Sequence, residues 1–574
     1  MKRLYKILSL ALVCSSVFFY SCETLELDLT ENPNALTPGD ADVNFYLNSV
    51  QEDFVRQLEG DAAVGADNWA TGGSQNGDGF NNFGSVLTRL YALNYGSDYA
   101  AALQPGDGND EWSNAYAGFL IDLKNMNVLA EEADLTHHIA MGEFFQAYTL
   151  VTLVDFFGDV PASEALQGAE NLNPALESGA LIYDLALVLL DQAIANFNSE
   201  AAADPDYDYF YNKDWDKWVK AANTLKLKIY LQRRLVDAGA KASFDAIVAS
   251  GDYIQNIADD LEYRWPATSA SQPDTRHPRY GLNYQEAGAN DYMSNWLMNL
   301  MDTRSDPRLR YYFYRQVNGT PGSNDTDGNA LPPNEETLNC SLEPAPPHYI
   351  EGGHVFCTLD NGYWGRDHGD NDGIPPDGLT RTVWGVYPAG GRFDDDRFEA
   401  VGLVQGGAGA GVTVILSAAW VDFYQAEFAM ASGDVAGAKA FMVTGTAKSI
   451  AKVQPYADLD AEADKTFEPS DAVIADYIAA QESAFDGAND KGKWNLMSEL
   501  YWVALYGNGV EAYNYYRRTG FPTTLQPMRE PSPGGFMRSL WYPNNSVNTN
   551  SNVSQKPDQT QTVFWDQGVP LEAN

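Results

Sequence analysis

SAAWVDFYQAEFAMASGDVAGAKAFMVTGTAKSI, residues 417–450, decides the fold. Apolar residues recur at helical spacing through Ser417–Ser432 and again through Asp434–Ile450. Between them lies a short Gly433-Asp434 turn, flanked by the small residues Ala426, Ala431 and Ala438, with Phe441 following. Small side chains let two helices approach closely, so the stretch predicts a helix hairpin. Such a pair cannot bury its faces alone and must stack on others in a curved array.

The same pairing recurs outward from this point, and the unit resembles a tetratricopeptide hairpin. Ala41–Glu59 follows the Pro38-Gly39-Asp40 turn and carries the stripe Val43, Tyr46, Leu47, Val50, Phe54 and Leu58. Glu111–Ala133 pairs with Thr136–Phe157, which Gly158-Asp159-Val160-Pro161 stops. Ser178–Phe197 pairs with Asp214–Val236, while Val473–Phe485 and Lys493–Arg518 close the C-terminal part. Between Ala238 and Leu416 the texture changes to Gly, Pro, Asn, Asp and Tyr, with Met293–Met301 one short helix. Loops this long inside a compact protein are usually functional. The expected class is mainly α: a tetratricopeptide-like scaffold with few short strands. Its parts are an extended tether (22–40), N-terminal hairpins (41–237), a loop-rich ligand-binding insertion (238–416) and a C-terminal helical part with an irregular tail (417–574). Residues 22–574 are expected to form one domain.

Residues 1–21 read as an export signal. Lys2, Arg3 and Lys6 precede an apolar run from Ile7 to Tyr20, which is too short to span a bilayer at roughly 20 residues. Ser21-Cys22 then points to a bacterial lipoprotein in which Cys22 is acylated, although Phe19 and Tyr20 depart from the usual lipobox. A plain secreted protein is the alternative. The chain carries a formal charge of -43, and the signal holds three cations and no acid, leaving -46 after its removal. That excludes nucleic-acid binding, which needs basic residues against phosphate. It also excludes adsorption to anionic lipid, so any membrane attachment is through the lipid anchor only. Cys14 leaves with the signal, and Cys340 and Cys357 remain as a disulfide candidate, two free thiols being the alternative. Closing that loop would contribute roughly 3 kcal/mol.

The chain resembles the SusD/RagB nutrient-binding lipoproteins, in the SusD-like branch. The residues that carry the resemblance are Asn32-Pro33-Asn34, Gly158-Asp159-Val160-Pro161, Asp306-Pro307-Arg308-Leu309, Gly365-Arg366-Asp367-His368-Gly369-Asp370 and Tyr387-Pro388-Ala389-Gly390-Gly391. Arg517-Arg518-Thr519-Gly520-Phe521-Pro522 and Val563-Phe564-Trp565-Asp566 extend it to the C-terminal end. The resemblance implies a lipid-anchored, outward-facing outer-membrane protein. Such a protein sits on a SusC-like TonB-dependent transporter and hands it oligomeric nutrient. Family members mostly bind glycans and some bind peptides, so the ligand does not transfer with the fold.

Ligand capture has a physical basis in 33 Tyr and 13 Trp, whose flat rings can stack on sugar faces beside hydrogen-bonding amides. The loop Asp67–Asn81 combines Asn68, Trp69 and Gln75 with several glycines, and is expected to form the nutrient pocket together with the middle-region loops. Tyr284, Asn290, Tyr292, Asn295 and Trp296 form a second aromatic-amide cluster, with Tyr292 and Trp296 at one-face helical spacing. A core stripe explains that cluster equally well. Asp367, Asp370 and Asp372, beside Arg366 and His368, are calcium candidates; a structural turn held by Arg366 is the competing reading. An EF-hand alignment on Gly373 fails, because His368 and Leu379 fall at its first and last ligand positions.

No catalytic signature accompanies these residues. The six histidines contain no His-Glu-x-x-His, and Gly406–Gly411 lacks the phosphate-loop Lys-Ser/Thr. There is no Gly-x-Ser-x-Gly elbow. Among 79 acidic residues, pairs at glycosidase distance arise by chance. The expected function is non-catalytic glycan capture. A peptide receptor of the same fold and a surface glycoside hydrolase are the alternatives.

Overall fold

The 417–450 hairpin forms as its sequence dictates. In the computed structural model Gly433 takes a left-handed φ of 82° and donates its N–H to the carbonyls of Ala429 and Met430. The Asp434 side chain then accepts from Gly437 N and caps the second helix. The structure describes residues 41–60, 78–96, 98–269, 274–286, 288–319, 340, 343–371 and 380–572. The longer helices are α1 Val43–Glu59, α2 Phe80–Thr88, α3 Leu120–Glu132, α4 Thr136–Phe157, α5 Gly179–Phe197, α6 Trp215–Arg233 and α7 Ala240–Ser250. After the middle region come α8 Asn295–Thr303, α9 Ala418–Ser432, α10 Val435–Val453, α11 Asp471–Gly487, α12 Asp490–Ala504 and α13 Gly509–Thr519. Val43–Asn574 forms one compact unit.

Strands are few and short, and the class is mainly α. Leu261–Arg264 (β1) pairs antiparallel with Val412–Leu416 (β4), and Phe313–Tyr314 (β2) pairs with Val383–Trp384 (β3). Two expected helix boundaries need correction. Lys493–Arg518 is broken into α12 and α13, because Gly507 has φ 95° and Asn508 starts a new helix by accepting from Glu511 N. Glu111–Ala133 is interrupted by a π-helical turn at Asn114–Phe119 ahead of α3. The helices α2 and α7 are additional to the expected set.

The helical array packs as hairpins. α4 lies along α5, α5 along α6, and α9 along α10. Trp218 anchors the N-terminal stack: it is fully buried, stacked on Phe197 at 5.6 Å and edged by Phe144, Phe145 and Tyr211. α5 is long and apolar enough to cross a membrane, yet its outer Asp184 and Asp191 pair with Arg233 and Lys226 of α6. The C-terminal helices close back on the start of the chain. Trp502 Nε1 donates to the carbonyl of Thr88 on α2, 414 residues earlier.

The α9–α10 crossing depends on one small residue. A β-carbon at Gly445 would lie 3.0 Å from the Ala419 carbonyl and 3.0 Å from the Phe423 ring. Gly445→Val is therefore expected to cost about 1–3 kcal/mol by overpacking, measured as a lower urea midpoint with unchanged slope. Wild-type stability in the variant would show that the two helices do not meet this closely.

Candidate ligand-binding site

The residues singled out by their aromatic and amide character fall in three places. Asn68, Trp69 and Gln75 lie outside the described residues, as do Cys22 and Asp372. Tyr284, Tyr292 and Trp296 lie in the interior, which corrects the expectation that they form a ligand face. Tyr284 stacks on Tyr280 at 4.4 Å, donates its hydroxyl to Trp384 O and accepts from Arg392 N. The Tyr292 ring is covered by the guanidinium groups of Arg381 at 3.9 Å and Arg366 at 4.8 Å. Trp296 donates Nε1 to Thr524 O. Tyr292 also precedes α8, so the two rings do not share a helical face. Each ring is spent on packing, and the polar tips of Tyr284 and Trp296 are spent on the backbone.

The acidic cluster is a structural turn. Asp367 is buried and accepts from Asn295 Nδ2 at 3.0 Å, Gln526 Nε2 at 2.9 Å and Cys357 N at 2.6 Å. Burial pushes its carboxyl up to about 6 against those donors. Asp370 is held by Arg366 at 3.0 Å and Arg529 at 2.6 Å. N–H donors face these oxygens where a calcium ion would have to sit, so Asp367 and Asp370 do not fit one. Cys340 and Cys357 are joined by a disulfide that packs on buried Trp364.

The end of α1 and the lead-in to α2 are built on buried acids. Glu59 is the last residue of α1, and Asp78-Gly79 leads into α2. Glu59 accepts from Asn81 Nδ2 at 2.7 Å, and Glu111 accepts from Gly79 N at 2.6 Å. Arg279 donates to Asp78 O at 3.3 Å. Burial raises Glu59 to about 7 despite the opposing charge of Arg279. Burial, with nearby Asp78, raises Glu111 well above the carboxylate range.

An open cleft of ≈ 330 Å³ lies where β1 and β4 meet the end of α10. Trp265, Tyr456, Ile257, Pro455 and Leu459 give it an apolar, aromatic lining, and Glu262, Arg264 and Lys452 add charged groups. Trp265 is fixed by Nε1 donating to Thr413 Oγ1 at 2.9 Å. Tyr456 is wedged edge-on against Tyr387 at 5.0 Å, and its buried hydroxyl has no hydrogen-bond partner among the described residues. Lys452 donates to Asp260 at 2.8 Å and to Glu262 at 2.5 Å. Burial pulls the Lys452 ammonium down, but the two carboxylates outweigh it and hold it above the ordinary lysine value. Glu262 feels burial upward, yet Lys452 and Arg264 hold it below the usual range. The cleft is an apolar floor with a few fixed polar groups, the form of a small-molecule binding site. Apart from Ala410 and Gly411 of the glycine run, none of its residues stood out in the sequence, because they come from three separate segments, 257–265, 410–411 and 451–459.

Comparisons with known proteins agree over most of the chain. Residues 70–335 match a SusD-like family described as starch-binding and associating with the outer membrane. Residues 408–563 match a second, described as the SusD and RagB outer membrane lipoproteins. No curated protein gives a significant sequence match. Among solved structures, a chitin-binding protein superposes with TM-score 0.62 at 19% identity, covering 92% of this chain and 100% of its own. A SusD/RagB family protein from Bacteroides thetaiotaomicron gives 0.61 at 18%, with the same coverage. A chitin-binding SusD homolog from Flavobacterium johnsoniae gives 0.59 at 16%, covering 93% of this chain and 99% of its own. At these identities the likeness is one of fold. With two family matches spanning well over half its length and the same helical architecture throughout, this chain belongs to the SusD/RagB family.

Proposed function

We propose that this protein is a non-catalytic cell-surface receptor that captures oligomeric nutrient, most specifically glycan, for a SusC-like TonB-dependent outer-membrane transporter. Its tether would be the acylated Cys22, and its body would face the cell exterior. Family membership and two structural relatives named as chitin-binding support the ligand class. The observation that carries the site is the Tyr456 hydroxyl, buried beside an aromatic floor with no partner of its own among the described residues. Leaving a buried hydroxyl unpaired costs about 1–3 kcal/mol, which a ligand hydroxyl would recover once a rotation of the Tyr456 side chain brings the two into reach. The carboxylate chemistry supports binding over hydrolysis. Glu262, which lines the cleft, is held ionised by Lys452 and Arg264, and Asp260, buried behind Lys452, is committed to Lys452, Ala418 N and Ser417.

Tyr456→Phe tests this reading, because it deletes the hydroxyl and keeps the ring. In affinity gels cast with chitin derivatives, starch or cellulose derivatives, wild type is expected to be retarded by one polymer. The variant should bind that polymer about tenfold more weakly while unfolding at the same or higher urea concentration. Unchanged retardation with lowered stability would mean that the hydroxyl serves the fold and the cleft is not the site.

A further inference from the structure

A second depression lies along the same walls as the cleft at Tyr456, and its role in an extended site rests on the glycan-binding reading above. It measures ≈ 430 Å³ and is lined by Tyr253, Gln255, Asn256, Asp422, Phe441 and Lys448 among others. Both depressions share two walls: α10 with its 3₁₀ extension, and the strand of chain that leads from Tyr253 into β1. Residues follow the same order along both walls. Phe441 and Lys448 stand with Tyr253–Asn256, whereas Lys452 and Tyr456 stand with Ile257, Glu262 and Arg264. On α10 and its extension, Phe441, Lys448, Lys452 and Tyr456 recur at intervals of seven, four and four, which places them on one face. Lys448 and Lys452 are about 6 Å apart along the axis, and Asn256 and Ile257 are consecutive. The two depressions therefore follow one another along α10 and its extension, over roughly 24 Å from Phe441 to Tyr456.

Its charge is balanced at each end. Lys448 pairs with Asp422 at 2.8 Å; Lys452 pairs with Asp260 and Glu262, and Arg264 also reaches Glu262. A chain of formal charge -43 thus presents here a strip whose cations and carboxylates cancel. Rings stand at both ends, Tyr253 and Phe441 at one and Tyr456 and Trp265 at the other, and exposed amides of Gln255 and Asn256 lie between. Rings with neutral hydrogen-bonding groups suit a chain of uncharged, hydroxyl-bearing units, and paired charges give a uronate or a charged peptide no advantage.

We infer that the two depressions are consecutive subsites of one trough that holds a linear, uncharged oligosaccharide along α10. Occupying both at once makes the second contact intramolecular, so affinity rises with chain length. Titration calorimetry with disaccharides and octasaccharides of the chitin, cellulose and starch series tests it. The octasaccharide of one series is expected to bind at least about tenfold tighter than its disaccharide. Changing Gln255→Ala with Asn256→Ala, both exposed, should reduce the octasaccharide to disaccharide affinity; Tyr456→Phe should weaken both lengths. Equal affinity for both lengths, an octasaccharide indifferent to the double change, or tighter binding of oligogalacturonate would overturn the trough and leave glycan binding standing. Failure of every series to bind would overturn both.

Discussion

Glu427→Gln is expected to destabilise the protein by about 3–5 kcal/mol, a large share of the stability of an ordinary domain. Glu427 sits on α9 between two arginines. Arg518 of α13 reaches it at 2.7 and 2.8 Å, and Arg234, just past α6, at 2.7 Å. All three are buried or nearly so, and Arg518 also donates to Gln232. Burial alone would push the Glu427 carboxyl up, but Arg518 and Arg234 outweigh it and hold it below the usual range. Removing the one carboxylate leaves two guanidinium groups facing each other without water, at the point where three helices of the array meet. Urea unfolding near neutral pH measures the loss. A loss below about 1 kcal/mol would mean that the triad is hydrated and behaves as a surface pair.

The same triad shows why the fold is legible in the sequence and the site is not. Arg517-Arg518-Thr519-Gly520 stands out as a motif, and its meaning is structural. Arg518 closes the triad, Arg517 stacks on Tyr513 at 3.6 Å and Trp565 at 4.7 Å, and Gly520 ends α13 with φ 75°. Helix pairs such as Thr136–Phe157 with its neighbour can be read because burial imposes a period that survives in one segment of sequence. The break at Gly507-Asn508 is also written there, as a glycine followed by a capping residue, but apolar residues continue on both sides and mask it. Ligand sites impose no period. Tyr284, Tyr292 and Trp296 carry the ring-and-amide chemistry of sugar binding, but a ring stacked on tyrosine or arginine in a core has the same composition as one awaiting a sugar. What marks Tyr456 is an unpaired hydroxyl beside Trp265, and that depends on two segments meeting in space.

Glu59 gives the second large effect, and its sign is set by burial. Its carboxyl keeps its proton in the folded chain up to about pH 7, whereas in the unfolded chain it ionises near 4.5. Below pH 4.5 both states hold the proton and pH has no effect. Between 4.5 and 7 the folded state binds more protons than the unfolded one, so stability falls as pH rises, and above 7 the loss is complete. The gap between those two values corresponds to roughly 3 kcal/mol. Glutamine keeps the carbonyl that accepts from Asn81 Nδ2 and never ionises. Wild type measured against Glu59→Gln by urea unfolding should therefore lose roughly 3 kcal/mol more between about pH 4.5 and 8. An equal difference at both pH values would show that Arg279 holds Glu59 ionised throughout, as a conventional ion pair. Because Glu59 and Glu111 accept from Asn81 and Gly79, this loss would act first on how the start of α2 is held, before it reaches the helical core.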